Sequence, residues 1–196
     1  KAEMKLTVII PCYNEEKTIE QTVSKVLDQK NIDLEIIIVD DGSNDNSKNI
    51  INRIKEEKRN IISIFHEQNI GKGGALKTGI KAASGDIILI QDADLEYDPK
   101  DYVKLLKPFN ETDADVVYGS RFLGGSGDHR VIYFWNRLAN ALLTFLANLL
   151  VDMNLSDMET GYKAFKKSAL ENITLQENRF GFEPEITIKL AKKKLR

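Results

Sequence analysis

The sequence has little of several things that would point to particular protein classes. It contains one cysteine, Cys12, which excludes an intrachain disulfide and a metal site built from several cysteines. Because no apolar run reaches 18 residues, no transmembrane helix is predicted in this segment. The 28 Lys and Arg nearly balance the 30 Asp and Glu, so no overall basic excess indicates a nucleic-acid partner.

What is present is the composition of a globular domain. The chain has 196 residues, 42% hydrophobic and 30% charged, and no Pro- or Ser-rich linker divides it. We therefore predict a single domain over 1–196, located in the cytoplasm or at the cytoplasmic face of a membrane. A helical pattern from Ile186 runs to the last residue, Arg196, so we expect that the sequence is truncated at its C-terminal end.

Short apolar runs recur at regular intervals up to about residue 120. The predicted strands are Leu6–Ile10, Leu34–Val39, Ile61–Phe65, Asp86–Ile90 and Ala114–Tyr118. Apolar residues at helical spacing fill the first three gaps: Ile19, Val23, Val26 and Leu27; Ile50, Ile51 and Ile54; Leu76, Ile80 and Ala83. This alternation predicts an α/β fold with a mostly parallel central sheet flanked by helices. We expect residues 121–196 to add substrate-binding elements to it.

The segment DIILIQDADLE, residues 86–96, is the most informative part of the chain. A predicted buried strand leads directly into Asp92 and Asp94, and open α/β sheets bind ligands where their strands end. Two carboxylates this close repel each other unless a cation lies between them, and Mg²⁺ or Mn²⁺ suits such oxygen ligands. We predict a site for a divalent ion and a diphosphate. The alternative is a solvated acidic turn before Pro99.

The first predicted strand ends in IIPCYNEE, residues 9–16. Pro11 is expected to mark the strand's end, and Asn14 can cap the following helix, whose positive end Glu15 and Glu16 favour. Tyr13 is less well explained by local structure and could lie against a nucleobase. Cys12, at an apolar strand end, is expected to be a buried thiol and not a nucleophile.

The second predicted strand ends in VDDGSNDNS, residues 39–47. Asp40 and Asp41 begin a turn, and Ser43 or Asp45 can cap the next helix. Adjacent side chains point in opposite directions, so one aspartate is expected to support the backbone and the other to face the ligand. A carboxylate there can accept hydrogen bonds from a base or a ribose.

The third predicted strand leads to NIGKGGALKTG, residues 69–79. Its glycines permit close backbone approach, and the helix that they open attracts phosphate, with Lys72 among them. The segment is neither a Walker loop nor a dinucleotide fingerprint, so a nicotinamide-dependent dehydrogenase is disfavoured.

Taken in order, the motifs PCYNEE, VDDGSND, NIGKGGA, DADLEYDP, YGSRF, DMETGYKAF and RFGFEPEI resemble those of glycosyltransferase family 2. The resemblance covers nearly the whole chain and is strongest to members that use dolichyl or polyprenyl phosphate. It implies a GT-A fold, with a nucleotide-sugar part over 1–120 and an acceptor part over 121–196. It also implies inverting, Mg²⁺- or Mn²⁺-dependent transfer from a nucleotide-diphosphate sugar of the GDP-mannose or UDP-glucose type.

The acceptor is left open by the resemblance. A polyprenyl or dolichyl phosphate is favoured, and a saccharide hydroxyl in glycan synthesis is the alternative. A non-catalytic nucleotide-sugar-binding protein is a remote alternative. A sugar-phosphate nucleotidyltransferase is disfavoured, because no glycine-rich loop follows the first strand.

The resemblance also assigns roles to individual residues. The nucleotide-sugar-binding residues would be Pro11, Tyr13, Glu15, Asp41, Lys72, Asp92 and Arg130. The metal ligands would be Asp92, Asp94 and Glu96. The catalytic residues would be Asp157, Arg121 and Asp94.

Several of these assignments have alternatives. Arg121 could instead form a salt bridge at a strand end, and Glu159 is the rival of Asp157 as a base. Glu183 resembles a family position at the acceptor edge, but it could simply be an acid in the first turn of a helix. His129 is expected to be a surface residue of a mobile loop over 123–129.

The apolar segment 131–151 reads VIYFWNRLANALLTFLANLLV, with a narrow polar stripe. Arg137 and three asparagines argue against a membrane-spanning helix. We expect either packing in the core or in a homodimer, or peripheral contact with a membrane near a lipid-linked acceptor.

Overall fold

The computed structural model describes residues 4–58, 60–119, 162–179, 181–193 and 195. The strands in this part of the chain are β1 (Lys5–Cys12), β2 (Asp33–Asp40), β3 (Ile61–Phe65), β4 (Ile87–Ile90), β5 (Val116–Tyr118) and β6 (Lys163–Lys166). The helices are α1 (Ile19–Leu27), α2 (Ser47–Glu57), α3 (Lys72–Ala82), α4 (Tyr102–Glu111), α5 (Lys167–Leu170) and α6 (Phe182–Lys192), with a 3₁₀ turn at Pro99–Asp101.

The strands form one sheet in the order β3-β2-β1-β4-β6-β5. β1 lies between β2 and β4 and is parallel to both, and β2 is parallel to β3. The predicted α/β architecture is therefore confirmed. Ile9 of β1 faces Ile37 of β2 and Ile90 of β4, so the carboxyl ends of these strands meet at one edge of the sheet.

β6 departs from the parallel pattern. It lies between β4 and β5 and is antiparallel to both. The sequence did not predict it, because the alternation of strand and helix patterns stops after about residue 120 and KAFK is not a continuous apolar run like that of β4. Since β6 runs the opposite way, its first residue, Lys163, pairs with Ile90 at the carboxyl end of β4.

Two apolar layers cover the sheet. On one face, Val8, Ile10, Ile36 and Ile38 pack with residues of α1, α2 and α4. On the other face, alternate strand residues such as Ile37 pack with α3, α5 and α6. The three helices predicted between the first four strands are all confirmed, and their predicted apolar faces turn to the sheet.

Some predictions fall outside the described residues. These are Arg121, His129, Arg130, Asp157, Glu159 and the helix over 131–151. Within the residues that are described, no helix combines the length and the hydrophobicity needed to cross a bilayer. The strand predicted at Ala114–Tyr118 begins only at Val116, because the chain turns after α4 up to that point.

Candidate active site

The loops after β1, β2, β3 and β4 enclose a cavity of about 400 Å³ at the carboxyl edge of the sheet. Its walls combine apolar atoms with charged groups of both signs. It is lined by Pro11, Cys12, Tyr13, Glu15, Asp41, Asn69, Gly71, Lys72, Ala75, Asp92, Ala93, Asp94 and Arg179. The structure thus brings together every described residue predicted to bind the nucleotide sugar.

The end of β1 supplies one wall. β1 continues one residue beyond Pro11, to Cys12, and Tyr13 then leaves 44% of its surface exposed beside the cavity. Burial, assisted by the nearby Asp40 carboxylate, raises the pKa of the Cys12 thiol to about 12. This agrees with the prediction of a buried and unreactive thiol.

The prediction that Asn14 caps α1 is wrong. α1 begins only at Ile19, and Asn14 adopts a positive φ of 57°. Its side-chain oxygen accepts a hydrogen bond from the Asn44 N–H at 2.8 Å, and its own N–H donates to Ser43 Oγ at 2.9 Å. Asn14 therefore ties the loop after β1 to the loop after β2. Asparagine tolerates this backbone conformation better than most residues.

The N-cap of α2 is Asn46 and not the predicted Ser43 or Asp45, but Asp45 still stabilises the start of the helix. Asp45 Oδ1 accepts a hydrogen bond from the Ser47 N–H at 3.0 Å, at the first residue of that helix. Its second oxygen accepts from the Glu16 N–H at 3.1 Å. One carboxylate thus stabilises the start of α2 and fixes the loop after β1.

Asp41 joins the loop after β2 to the loop after β3. Its carboxylate accepts hydrogen bonds from the Gly71 N–H at 2.7 Å and the Ile70 N–H at 3.1 Å. His66 Nδ1 lies 2.7 Å away and must be the donor, since a carboxylate only accepts. The other ring nitrogen forms a hydrogen bond of 2.9 Å with the Thr78 hydroxyl. As predicted, Asp40 supports the turn by accepting from the Ser43 N–H at 3.3 Å, and Asp41 lines the cavity. Asp41 supports the backbone as well, through its bonds from Ile70 and Gly71.

The glycines after β3 make room for another part of the same chain. Gly71 has a φ of 100°, which favours glycine. A side chain at Gly73 would come within 2.8 Å of the Glu177 carbonyl oxygen, and the Gly74 N–H donates to the Asn178 carbonyl at 2.9 Å. The segment 177–179 therefore lies against these glycines, where a phosphate was expected to approach.

Asp92 and Asp94 lie on the loop after β4 and both reach the cavity. Asp94 Oδ1 accepts a hydrogen bond from the Glu96 N–H at 3.0 Å, which leaves its second oxygen for a ligand. Glu96 is exposed and is not among the residues that line the cavity. The structure therefore unites two of the three predicted metal ligands, and Glu96 as the third stays a prediction.

Gln91 is a buried anchor for this loop that the sequence did not reveal. Its Nε2 donates to the Asp92 carbonyl at 3.0 Å, and its Oε1 accepts from the hydroxyls of Tyr102 at 2.8 Å and Tyr162 at 3.0 Å. Burial raises the pKa of both tyrosines far above the ordinary value, so both hydroxyls stay protonated and donate. Gln91 thereby fixes the backbone that carries Asp92.

A row of alternating charges crosses the site. Lys72 Nζ lies 2.7 Å from Asp92 Oδ1 and 3.5 Å from Glu183 Oε1. Lys163 Nζ lies 3.7 Å from the same Glu183 oxygen, although the Lys163 side chain is only 1% exposed. Burial lowers the pKa of Lys72, but the carboxylates of Asp92 and Glu183 outweigh burial and raise it, so the ammonium stays charged.

Glu183 fits the role of a helix N-terminal acid, and its place at the acceptor edge stays a prediction. It lies in the first turn of α6, where an acid is favoured by the helix dipole. It also reaches the site through Lys72 and Lys163. The row Asp92–Lys72–Glu183–Lys163 therefore links the loop after β4 to α3, α6 and β6.

Arg179 is a second residue that sequence reasoning missed. It is exposed and lines the cavity, and its guanidinium forms no hydrogen bond or ion pair with the other residues described. It belongs to the RFGFEPEI motif, but no local pattern indicates that residue 179 returns to the loop after β3. A guanidinium at such a cavity suits an anionic ligand.

The residues present fit a divalent ion. Asp92 already binds one cation, the Lys72 ammonium, and Asp94 offers a second carboxylate on the same cavity. The described residues contain no group of three or more His, Cys, Asp or Glu placed to hold a metal. One or two carboxylates are nevertheless the usual protein share of a Mg²⁺ site that is completed by phosphate and water.

The sheet order and the cavity define an α/β protein whose candidate ligand site lies where its parallel strands end. The family model for "Glycosyl transferase family 2" matches residues 7–174, so the chain belongs to glycosyltransferase family 2. It is also 35% identical over 190 residues to a UDP-N-acetylglucosamine–dolichyl-phosphate N-acetylglucosaminyltransferase of Methanococcus voltae. That alignment covers 89% of this chain and 74% of the relative.

Solved structures give the same fold. A mannosyltransferase of Pyrobaculum calidifontis, in complex with GDP-Man and Mn²⁺, superposes with a TM-score of 0.72 at 23% identity. The match covers 100% of this chain but only 54% of that one, so our chain spans about half of its length. Glucosyl-3-phosphoglycerate synthase of Mycobacterium tuberculosis, with Mn²⁺ and UDP, has a TM-score of 0.74 at 22% identity, covering 98% of this chain and 67% of that one.

Proposed function

We propose that this glycosyltransferase moves a sugar, with inversion, from a nucleotide-diphosphate sugar to a polyprenyl or dolichyl phosphate. One observation carries the donor part of the proposal. The loops after β1 to β4 meet at one cavity that holds the Asp92 and Asp94 carboxylates and two cationic side chains, Lys72 and Arg179.

Those charges match the chemistry of the leaving group. As the glycosidic bond breaks, negative charge grows on the nucleoside diphosphate, and groups already fixed in place stabilise it best. Asp92 and Asp94 would hold a Mg²⁺ or Mn²⁺ ion, which supplies Lewis-acid stabilisation of the diphosphate. Lys72 and Arg179 would add positive charge at the same cavity.

The nucleoside would bind beside β1 and β2. Tyr13 offers an exposed aromatic face for the base, and Pro11 and Glu15 line the same wall. Asp41 would contact the base, while its hydrogen bonds to Gly71 and Ile70 hold its carboxylate in place.

The acceptor is proposed from the Methanococcus relative, whose name specifies dolichyl phosphate. A phosphate acceptor is already anionic at neutral pH and needs no base, so Asp157 would position it and not deprotonate it. Arg121 and Arg130 would contact phosphate, as the family resemblance implies. We further propose, from the sequence of 131–151, that this segment contacts a membrane or packs in a homodimer.

The test is sugar transfer by the chain supplied with Mn²⁺, polyprenyl phosphate and a panel of UDP-N-acetylglucosamine, UDP-glucose and GDP-mannose. The variants Asp92→Asn and Asp94→Asn are each expected to lower kcat about 100-fold or more, since each weakens the grip on the ion. Asp98→Asn is the matched control, because Asp98 is on the same loop but caps the 3₁₀ turn through the Lys100 N–H at 3.0 Å.

Turnover that is unchanged in both Asn variants would contradict the metal–diphosphate site. Turnover with a saccharide and not with the lipid phosphate would favour the alternative acceptor, a saccharide hydroxyl. No turnover with any donor and acceptor would favour a non-catalytic nucleotide-sugar-binding protein.

A further inference from the structure

We propose that Lys72 is an internal counter-ion that occupies Asp92 before ligands arrive and moves to the donor diphosphate when a divalent ion replaces it. The inference rests on the proposed function, because it assumes a metal and a diphosphate at this cavity. It adds a role that neither the family nor the fold assigns, a lysine that couples metal binding to donor binding.

The geometry places Lys72 in competition with a metal. Its ammonium lies 2.7 Å from Asp92 Oδ1, which is the length of a strong charge-assisted hydrogen bond. Both residues line the cavity, and the Lys72 side chain is 36% exposed, so it has space to leave. A carboxylate oxygen held by an ammonium is not free for a dication.

A divalent ion and Lys72 cannot share Asp92 without strong repulsion. If the ion binds alone, it must displace an ammonium whose other carboxylate partner among the described residues is Glu183, 3.5 Å away. If the ion binds with a diphosphate, the ammonium gains a new anionic partner in the same cavity. Metal and nucleotide should therefore bind with positive coupling.

Glu183 acts here as a positioning residue. Its carboxylate lies 3.5 Å from the Lys72 ammonium, and the buried Lys163 ammonium lies 3.7 Å from the same oxygen. Without Glu183, the flexible lysine could turn to solvent after leaving Asp92. With it, the ammonium stays at the cavity, where a diphosphate can capture it.

The experiment measures Mn²⁺ binding by the loss of the free-ion electron paramagnetic resonance signal, with no nucleotide present. The variant Lys72→Met is expected to bind Mn²⁺ about tenfold more tightly than the unmodified chain, a difference of about 1.4 kcal/mol. Lys72→Arg keeps a cation at the position and is expected to retain the weak binding of the unmodified chain. Thermal unfolding of both variants verifies that they fold.

Lys77→Met is the matched control. Lys77 is on the same helix, but its ammonium contacts the Gln176 carbonyl at 3.1 Å and the Asn178 side-chain oxygen, with no carboxylate among these contacts. It removes the same charge from the same helix, so its Mn²⁺ affinity is expected to stay unchanged. If this control binds Mn²⁺ as tightly as Lys72→Met does, the change in net charge alone explains the effect and the proposal is overturned.

A second arm adds UDP or GDP. In the unmodified chain either the uridine or the guanosine diphosphate should tighten Mn²⁺ binding, and in Lys72→Met this gain should shrink at least severalfold. The counter-ion role is overturned if Lys72→Met binds Mn²⁺ no more tightly than the unmodified chain does. It is also overturned if Mn²⁺ binding is undetectable in both. A missing nucleotide effect in every variant overturns the proposed donor instead, and the metal-only arm tells the two failures apart.

Discussion

At the scale of single residues, the site depends on buried polar side chains that make no contact with the cavity themselves. Gln91 is fully buried and connects the carbonyl of Asp92 to the hydroxyls of Tyr102 and Tyr162. Each of these groups would otherwise lie unsatisfied in the core, which is costly. The position of the acidic loop is thus set by hydrogen bonds behind it.

Replacing Gln91 by Leu is expected to lower the free energy of unfolding by about 2 to 4 kcal/mol, because two tyrosine hydroxyls and a carbonyl lose their partner. Urea unfolding measures the change. Tyr102→Phe removes one hydroxyl together with its need for a partner, so its cost should be about 1 kcal/mol. Equal losses in the two variants would mean that Gln91 contributes only as one hydrogen bond.

Local patterns identified the residues at strand ends but not those delivered by the last part of the chain. Tyr13, Asp41, Asp92 and Asp94 directly follow strands, so their place at one edge of the sheet could be predicted. Arg179 arrives from a segment more than 80 residues beyond Asp94. The periodicity of a sequence does not show that such a distant residue packs beside the cavity.

At the scale of elements, the packing of α3 on β1 depends on a glycine. A Cβ at Gly79 would lie 2.5 Å from Ile9 Cγ2, and Ile9 is fully buried in the central strand. Because Ile9 is held between β2 and β4, a side chain at residue 79 would push α3 away from the sheet. The glycine thus brings the helix that carries Lys72 close to the strand that leads to Pro11.

Gly79→Ala is expected to destabilise the protein by about 1 to 3 kcal/mol, because overpacking exceeds the roughly 1 kcal/mol that alanine gains in helix propensity. Gly74→Ala is the control on the same helix, since its added Cβ would lie 2.7 Å from Cδ1 and Cγ1 of Ile70, a half-buried side chain outside the sheet that can turn aside. That variant should unfold within about 0.5 kcal/mol of the unmodified chain. Denaturant midpoints compare the two, and a neutral Gly79→Ala would contradict the close packing.

At the scale of the whole molecule, the two edges of the sheet have different tasks. The carboxyl edge carries the cavity, and the amino edge is fixed by Glu35 of β2. The Glu35 carboxylate accepts hydrogen bonds from the Thr7 hydroxyl at 2.7 Å, the Ser84 N–H at 2.8 Å and the Lys5 ammonium at 2.9 Å. One acid thereby joins β1, β2 and the turn before β4.

This edge predicts the acid stability of the protein. Burial opposes ionisation of Glu35, but the hydrogen bonds from Ser84, Thr7 and Lys5 outweigh it and lower its pKa from 4.5 to about 2. Because the folded pKa is the lower one, the carboxylate stabilises the fold fully above about pH 4.5, and this stabilisation is lost as the pH falls toward 2.

Glu35→Gln is therefore expected to lower the free energy of unfolding by about 2 to 3 kcal/mol at pH 7. Between pH 5 and pH 2, the free energy of unfolding of this variant should fall by less than that of the unmodified chain. Urea unfolding across that range measures both curves. Glu20→Gln is the control, because Glu20 pairs only with Arg53 on the exposed surface. Parallel curves for Glu35→Gln and the unmodified chain would contradict the assignment.

The sequence by itself determined the alternation of strands and helices, the α/β class, and the acidic and glycine-rich motifs at the strand ends. These depend on local periodicity and on residue chemistry that neighbours along the chain already show. Its motifs also indicated the family that the comparisons established.

Only the tertiary structure decided how distant segments complete the site. It placed β6 antiparallel between β4 and β5, filled the space beside Gly73 with residue 177, and set Lys72 between Asp92 and Glu183. Such contacts join residues that lie from 20 to 111 positions apart in the sequence. They arise from the packing of whole elements, which no short stretch of sequence specifies.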